Sequence, residues 1–150
     1  MKGYSNLFLL PFILIICFTL FSGFSIESEQ TMVERLLEER KDILHKVYFR
    51  QIDEKMGETL LYEIETQPLL TSDIRSLREY ADTDMDVVEG MEILALEKVT
   101  DLYGRKSFRG DILWHMLGHD GKYVQSVEYS IVIEKAGTGC KLSEFRTIAP

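Results

Sequence analysis

Two stretches of alternating apolar and polar residues, Phe108–Gly118 and Lys122–Ile133, flank Asp120-Gly121. Strict alternation indicates half-buried strands, and Asp-Gly favours the type I′ turn of a two-residue hairpin. That turn would place Trp114 opposite Val127 and Ile112 opposite Tyr129. One face of the hairpin is then apolar and faces the core; it comprises Phe108, Ile112, Trp114, Met116, Val127, Tyr129, Ile131 and Ile133.

Apolar residues before this hairpin recur at helical spacing. A first helix is predicted at about 32–51, with a capping box formed by Thr31 and Glu34 and with Glu38, Glu39, Arg40 and Lys41 on the solvent side. Asp53 is a predicted N-cap for a second helix, whose apolar residues are Met56, Leu60, Leu61 and Ile64. Pro68 is expected to end it, and Thr71 or Ser72 to cap a third helix that reaches Tyr80 with Ile74 and Leu77 inward.

Two further strands are predicted around the hairpin. Met91–Tyr103 fits a helix or a strand, and a strand is favoured because it would cover the first edge of the hairpin. The last strand, about Cys140–Ile148, follows the turn at 137–139. Its register is not readable, because Leu142 and Phe145 belong to opposite faces unless a bulge intervenes.

The N-terminal stretch carries no charge from Gly3 to Ile26 and is almost wholly apolar from Leu7 to Phe21. After Lys2, this is the pattern of a signal peptide cleaved after Ser25. The alternative is an uncleaved anchor formed by residues 4–25, since about 20 apolar residues span a bilayer. In both cases the remainder is predicted to be extracytoplasmic, either secreted or held at the cell membrane.

The predicted domain organisation is therefore a signal peptide or membrane anchor (1–25), an acidic spacer (26–31) and a single domain (32–150). The part from Ile26 onward holds 16 basic and 25 acidic residues, which gives a formal charge of −9. This charge argues against nucleic acid as a partner. Cys140 is the single cysteine of that part, which excludes an intramolecular disulfide within it.

Helices followed by strands indicate an α+β fold, with three helices packed on a four-stranded antiparallel meander. The long first helix, the segment PLLTSDI at 68–74 and the tryptophan-bearing strand before DGKY at 120–123 resemble exported bacterial NTF2-like, or cystatin-like, domains. The resemblance implies a curved sheet wrapped on helices, a cone-shaped pocket and dimerisation through the sheet. It does not select a function, because such folds host both enzymes and non-catalytic assembly proteins.

No catalytic, cofactor-binding or metal-binding residue is predicted. Asp82, Asp84 and Asp86 have the spacing of a calcium loop, but Val87 and Ile93 occupy the positions that need glycine and glutamate. On a strand, His115 and His119 would be about 13 Å apart, too far to share one zinc ion. The inward face offers no general base.

The opposite face of the hairpin carries apolar residues among polar ones. This surface is predicted to bind a protein partner or a second copy of the chain through Leu113, Leu117, Val124 and Val132, with Leu117 paired to Val124. The sequence thus favours a non-catalytic binding or assembly module. The alternative is an NTF2-like pocket that binds or converts a small apolar ligand.

Overall fold

The computed structural model describes residues 28–80 and 86–148. Its helices are α1 (Glu29–Tyr48), α2 (Glu54–Ile64) and α3 (Leu69–Tyr80), and its strands are β1 (Val87–Leu102), β2 (Arg105–Gly118), β3 (Gly121–Ala136) and β4 (Gly139–Thr147). The strands form one antiparallel sheet in the order β1-β2-β3-β4. The predicted α+β fold is confirmed. The predicted signal or anchor segment, as well as Asp82 and Asp84, lies outside the described residues.

No helix within the described ranges is long and apolar enough to cross a membrane.

The helix starts follow from their capping groups. Ser28, and not the predicted Thr31, caps α1, because its hydroxyl oxygen accepts the Thr31 backbone N–H at 3.1 Å. Asp53 caps α2 as predicted, through a 2.7 Å bond from the Met56 N–H. α3 begins at Leu69, before the predicted caps Thr71 and Ser72. Pro68 directly precedes it, and the fixed φ of proline suits the start of a helix.

The hairpin register differs from the prediction by two residues. Gly118 pairs with Gly121, so Trp114 lies opposite Gln125 and Ile112 opposite Val127. The turn residues are therefore His119 and Asp120, and the positive φ of +115° falls on Gly121 after them. The predicted type I′ turn at Asp120-Gly121 is wrong. The inward and outward faces of the hairpin are still assigned correctly, because side chains alternate with a period of two residues and a shift of two keeps each one on its face.

The core lies between the three helices and the predicted inward face of the hairpin. Phe108, Ile112, Ile131 and Ile133 are each at most 3% exposed, and Trp114 and Tyr129 pack against them. Helix α1 contributes an apolar stripe of Val33, Leu36, Leu37, Ile43 and Val47. On α2 the expectation holds for Leu61 and Ile64, whereas Met56 and Leu60 face solvent.

Bulges bend both edge strands. In β1, which confirms the strand interpretation, Glu89, Leu94 and Val99 are each an extra residue relative to β2. In β4, Ser143 is extra between the Leu142 and Glu144 pairings. This bulge lets Leu142 and Phe145 both pack on the core. Bulges bend the strand that carries them and increase its local twist.

Candidate functional site

A cluster of three charged side chains lies in the interior, between the helices and β4. Arg40 of α1 donates two hydrogen bonds to Asp73 of α3, from Nε to Oδ2 at 2.6 Å and from Nη2 to Oδ1 at 2.9 Å. Glu65, just after α2, places Oε1 3.2 Å from the same Nε. Glu65 and Asp73 are 1% and 5% exposed. The cluster therefore joins all three helices away from solvent.

Sequence reasoning missed this cluster and placed Arg40 on the solvent side of α1. The correcting signal was present in the helical spacing: Arg40 lies four residues after Leu36 and three before Ile43, in the middle of the buried stripe. Asp73 likewise lies four residues before the buried Leu77. Charged residues inside an apolar stripe are rarely buried unless they are paired, so both positions indicate a partner on another element that was not predicted.

One cation faces two carboxyl groups here, and only that of Asp73 is hydrogen-bonded to it. The bidentate pair of Arg40 and Asp73 satisfies the guanidinium. Neither oxygen of Glu65 has a hydrogen-bond partner among the described residues. Burial, together with the charge of Asp73, raises the pKa of Glu65 to about 9, although Arg40 acts in the opposite direction. Glu65 is therefore neutral at pH 7.

An aromatic wall adjoins the cluster on the inner side of the sheet. The Phe145 ring stacks on the Tyr129 ring with centroids 4.3 Å apart, and Trp114 meets both rings edge-on. The Trp114 Nε1–H donates to the Tyr129 hydroxyl at 3.0 Å. The Arg40 guanidinium lies 5.1 Å from the Phe145 ring centroid. Arg40 and these rings thus pack together on the inner side of the sheet.

This arrangement has one group with a strongly shifted pKa, yet a general acid or base must also lie within hydrogen-bond reach of a substrate. Glu65 exposes 1% of its surface, so a substrate has no route to it without a rearrangement of the helices. In this conformation the cluster has a structural role, because it connects α1, α2 and α3.

The four residues of the predicted partner surface differ in exposure. Val124 is 61% exposed and Leu117 is 36% exposed, whereas Leu113 is half-buried and Val132 is 4% exposed. Leu117 pairs with Lys122, and Val124 with His115, so the predicted Leu117–Val124 pair is wrong. It fails because the turn begins one residue earlier than predicted, which shifts the pairing register by two residues.

Ion pairs occupy the part of the outer face around Val132. Arg105 contacts Glu134 at 3.3 Å and Glu144 at 3.9 Å, and Arg146 also contacts Glu144, at 2.6 Å. Glu144 and Ser107 are the pairing partners of Val132 on either side. Of the four predicted residues, the exposed ones are therefore Leu117 and Val124 at the β2–β3 hairpin end, where Glu89, His115, Met116, Lys122, Tyr123 and Val124 line a shallow depression of about 250 Å³.

Another surface depression, of about 820 Å³, lies at the corner between α1 and α2. Its wall includes Asp53, which caps α2, and Glu58, whose carboxylate accepts from Arg78 at 2.6 Å. Arg50 at its rim lies two residues after α1 and has a left-handed φ of +54°. Asp53 and Arg50 thus lie at helix ends, and Glu58 forms an ion pair. None of these residues indicates a ligand for the depression.

The remaining titratable residues that were considered for a site do not lie together. His115 lies on β2 and His119 in the turn. Asp86 accepts a 2.6 Å hydrogen bond from the Tyr123 hydroxyl. Cys140 is a free, half-buried thiol. In the part of the chain that is described, no three His, Cys, Asp or Glu side chains are placed to hold a metal ion.

Comparisons with known proteins show a shared fold and no family. No protein-family model matches this chain, and no curated protein matches its sequence. Among solved structures it is similar to the intermembrane space region of the chloroplast protein ARC6, with 11% identity, a TM-score of 0.50, and coverage of 78% of this chain and 94% of that one.

Two further structures are more distant. TraH from the Gram-positive conjugative plasmid pIP501 has 14% identity and a TM-score of 0.45 over 82% of this chain and 96% of that one. A de novo designed β-sheet protein has 14% identity and a TM-score of 0.39 over 79% and 88% of the two chains. At 11% identity, the similarity to the ARC6 region shows only that the two chains share a fold.

Proposed function

We propose that this protein is an extracytoplasmic, non-catalytic assembly module that associates weakly through the β2–β3 hairpin end of its sheet. The observation that supports it most strongly is the contrast between the two sides of the sheet. On the inner side the charged groups are buried and occupied with one another. On the outer side the exposed Leu117 and Val124 lie close together at the β2–β3 hairpin end.

The contact surface comprises Leu113, Leu117 and Val124, without the buried Val132. Burial of about 200 Å² of apolar surface contributes roughly 5 kcal/mol at about 25 cal/mol per Å². Association costs about 4–15 kcal/mol in lost freedom. A patch of this size therefore supports a weak, concentration-dependent contact, and a second copy of the chain is the partner we propose.

The location outside the cytoplasm is inferred from the sequence of residues 4–25. Their apolar run suits a signal or an anchor, and the acidic part that follows carries a formal charge of −9. Mass spectrometry of the protein from its native cells is expected to find an N-terminus at Ile26, or the intact chain in the membrane fraction. Intact chain in the soluble cytoplasmic fraction would contradict this location.

Sedimentation velocity of residues 26–150 tests the contact surface. Leu117→Lys places a charge in the patch and is expected to abolish concentration-dependent self-association while the circular dichroism spectrum stays unchanged. Leu94→Lys is the matched control, because Leu94 is a strand leucine that is 53% exposed outside the patch. It is expected to associate like the wild type. Equal effects of the two substitutions would refute the assigned surface.

A further inference from the structure

A tyrosine without a role in the fold projects from the turn between β1 and β2. Tyr103 and Gly104 form a two-residue turn with φ of +52° and +78°, between the paired Leu102 and Arg105. Asn, Asp and Gly are favoured in such a turn because both residues need positive φ. Tyr103 is fully exposed and Leu102 is 63% exposed. The sequence thus keeps an unfavoured aromatic residue where it makes no packing contribution.

The same end of the molecule holds the start of α1. The Glu29 carboxylate contacts Lys106 at 2.6 Å and Lys98 at 3.0 Å, and both lysines belong to the β1–β2 hairpin. Asp101 adds contacts to the two lysines at 3.5 and 3.7 Å. The point where the described chain begins is therefore fixed beside this hairpin.

The apolar segment 4–25 ends just before this point in the sequence. The chain between Ile26 and Glu29 spans at most about 11 Å, at up to about 3.6 Å per residue. Tyr103 lies about 7 Å further along the strand than Asp101, at about 3.3 Å per residue. The headgroup layer of a bilayer is about 5–8 Å deep. If residues 4–25 anchor the chain, the Tyr103 turn lies within reach of that layer.

The charge distribution favours the same orientation. Residues 98–106 hold three basic residues and one acidic residue, and residues 134–141 at the neighbouring β3–β4 turn hold two and one. Glu29, which contacts Lys98 and Lys106, lowers the charge at the first turn from +2 to +1. Both turns are thus net positive in a domain that is strongly acidic. The opposite hairpin end carries Asp86, Glu89 and Asp120 against Lys122. Basic side chains are attracted to anionic headgroups, and tyrosine is enriched at the membrane–water interface.

We propose that the Leu102–Tyr103 turn rests in the headgroup layer of the membrane in which residues 4–25 are embedded, so that a lipid surface is its partner. The proposal deepens the extracytoplasmic assignment and rests on its anchored form. It orients the domain with the Tyr103 turn at the lipid surface. Leu117 of the proposed contact surface then lies about 45 Å away, at the other end of β2 and β3.

Brominated lipid, which quenches nearby tryptophan, tests this orientation in the full chain. Tyr103→Trp and Tyr123→Trp are a matched pair of exposed tyrosines at opposite ends of the sheet. Each is reconstituted in vesicles of phosphatidylcholine and phosphatidylglycerol, with and without brominated phosphatidylcholine, beside the wild type, in which Trp114 alone emits. Co-sedimentation with the vesicles reports separately whether the chain is anchored.

The expected result is a loss and a blue shift of emission for Tyr103→Trp, with Tyr123→Trp quenched no more than the wild type. Equal quenching of the two variants, quenching of Tyr123→Trp alone, or none in either would overturn the orientation while leaving the anchor supported by co-sedimentation. A chain that stays in the supernatant would overturn both the anchored form and the orientation. Its self-association would remain testable by sedimentation velocity.

Discussion

Arg40 and Asp73 lie 33 residues apart in the chain and are joined by two hydrogen bonds of 2.6 and 2.9 Å. A bidentate pair of this kind fixes orientation as well as distance. It sets α1 against α3, and Glu65 brings the end of α2 to the same guanidinium. The interior charges therefore define how the three helices sit on the sheet.

Removal of the arginine is expected to destabilise the fold strongly. Arg40→Met leaves Asp73 buried without its cation, and the loss of one partner of a buried pair costs about 3–5 kcal/mol. Arg35→Met on the same helix is the control, because the contact between Arg35 and Glu39 is solvent-exposed and such contacts contribute about 0.3–0.5 kcal/mol. Urea unfolding measures both. Similar midpoints for the two variants would show that the buried pair does not stabilise the fold.

Glu65 makes stability depend on pH. In the unfolded chain its carboxyl has an ordinary pKa of 4.5, whereas the folded protein keeps it protonated up to about 9. Between these values unfolding releases a proton, so the free energy of unfolding falls as the pH rises, by at most about 1.4 kcal/mol per pH unit.

Glu65→Gln cannot ionise and is expected to lack this decline. The variant should therefore gain stability relative to the wild type between about pH 5 and about pH 8, as measured by urea unfolding at each pH. The contribution of Glu65 is fully present below pH 4.5 and is lost through pH 9. Parallel stability profiles of the two proteins would mean that Glu65 is ionised in the folded state.

Gly57 lets α2 approach α1. A Cβ at this position would lie 2.3 Å from Cγ2 of Val47. Gly57→Ala would otherwise favour a helix by about 1 kcal/mol, but overpacking costs about 1–3 kcal/mol, so we expect a net loss of stability. Adding Val47→Ala removes the clash and is expected to restore part of it. If the double variant is no better than the sum of the single ones, the contact is not the cause.

Trp114 packs edge-on against Tyr129 and Phe145 on the inner side of the sheet. Trp114→Ala removes its packing and the hydrogen bond to Tyr129, and truncation of a core aromatic costs about 3–5 kcal/mol. Because Trp114 is only partly buried, we expect about 3 kcal/mol by denaturant unfolding. Val124→Ala, at an exposed position of the same hairpin, is expected to change little. Coincident unfolding curves for Trp114→Ala and wild type would contradict the inward assignment.

The faces of the central hairpin were predictable, because alternation alone assigns Ile112 and Ile131 to one side. The register was not, since Asp120-Gly121 suggested a type I′ turn while the glycine follows the turn instead. Local pattern also located β1, but not its extra residues Glu89, Leu94 and Val99. Bulges depend on how a whole strand bends over the helices, and single-strand alternation does not encode that.

The cluster of Arg40, Glu65 and Asp73 was likewise predictable only in part. Arg40 was detectable from its place in the apolar stripe of α1. Its partners were not, because Asp73 and Glu65 meet it only through packing of three separate helices. The outer surface shows the converse: alternation placed Val132 outward, yet it is 4% exposed between its pairing partners Ser107 and Glu144.

Dilution of isotopically labelled residues 26–150, followed by amide NMR spectra, tests the proposed contact surface most directly. As the concentration rises, the amide signals of Leu113, Leu117 and Val124 are expected to shift or broaden together, while those of Leu102 and Tyr103 at the opposite end stay constant. Concentration-dependent changes centred on the Tyr103 end or on α2, or none up to the highest soluble concentration, would contradict self-association through the β2–β3 hairpin end.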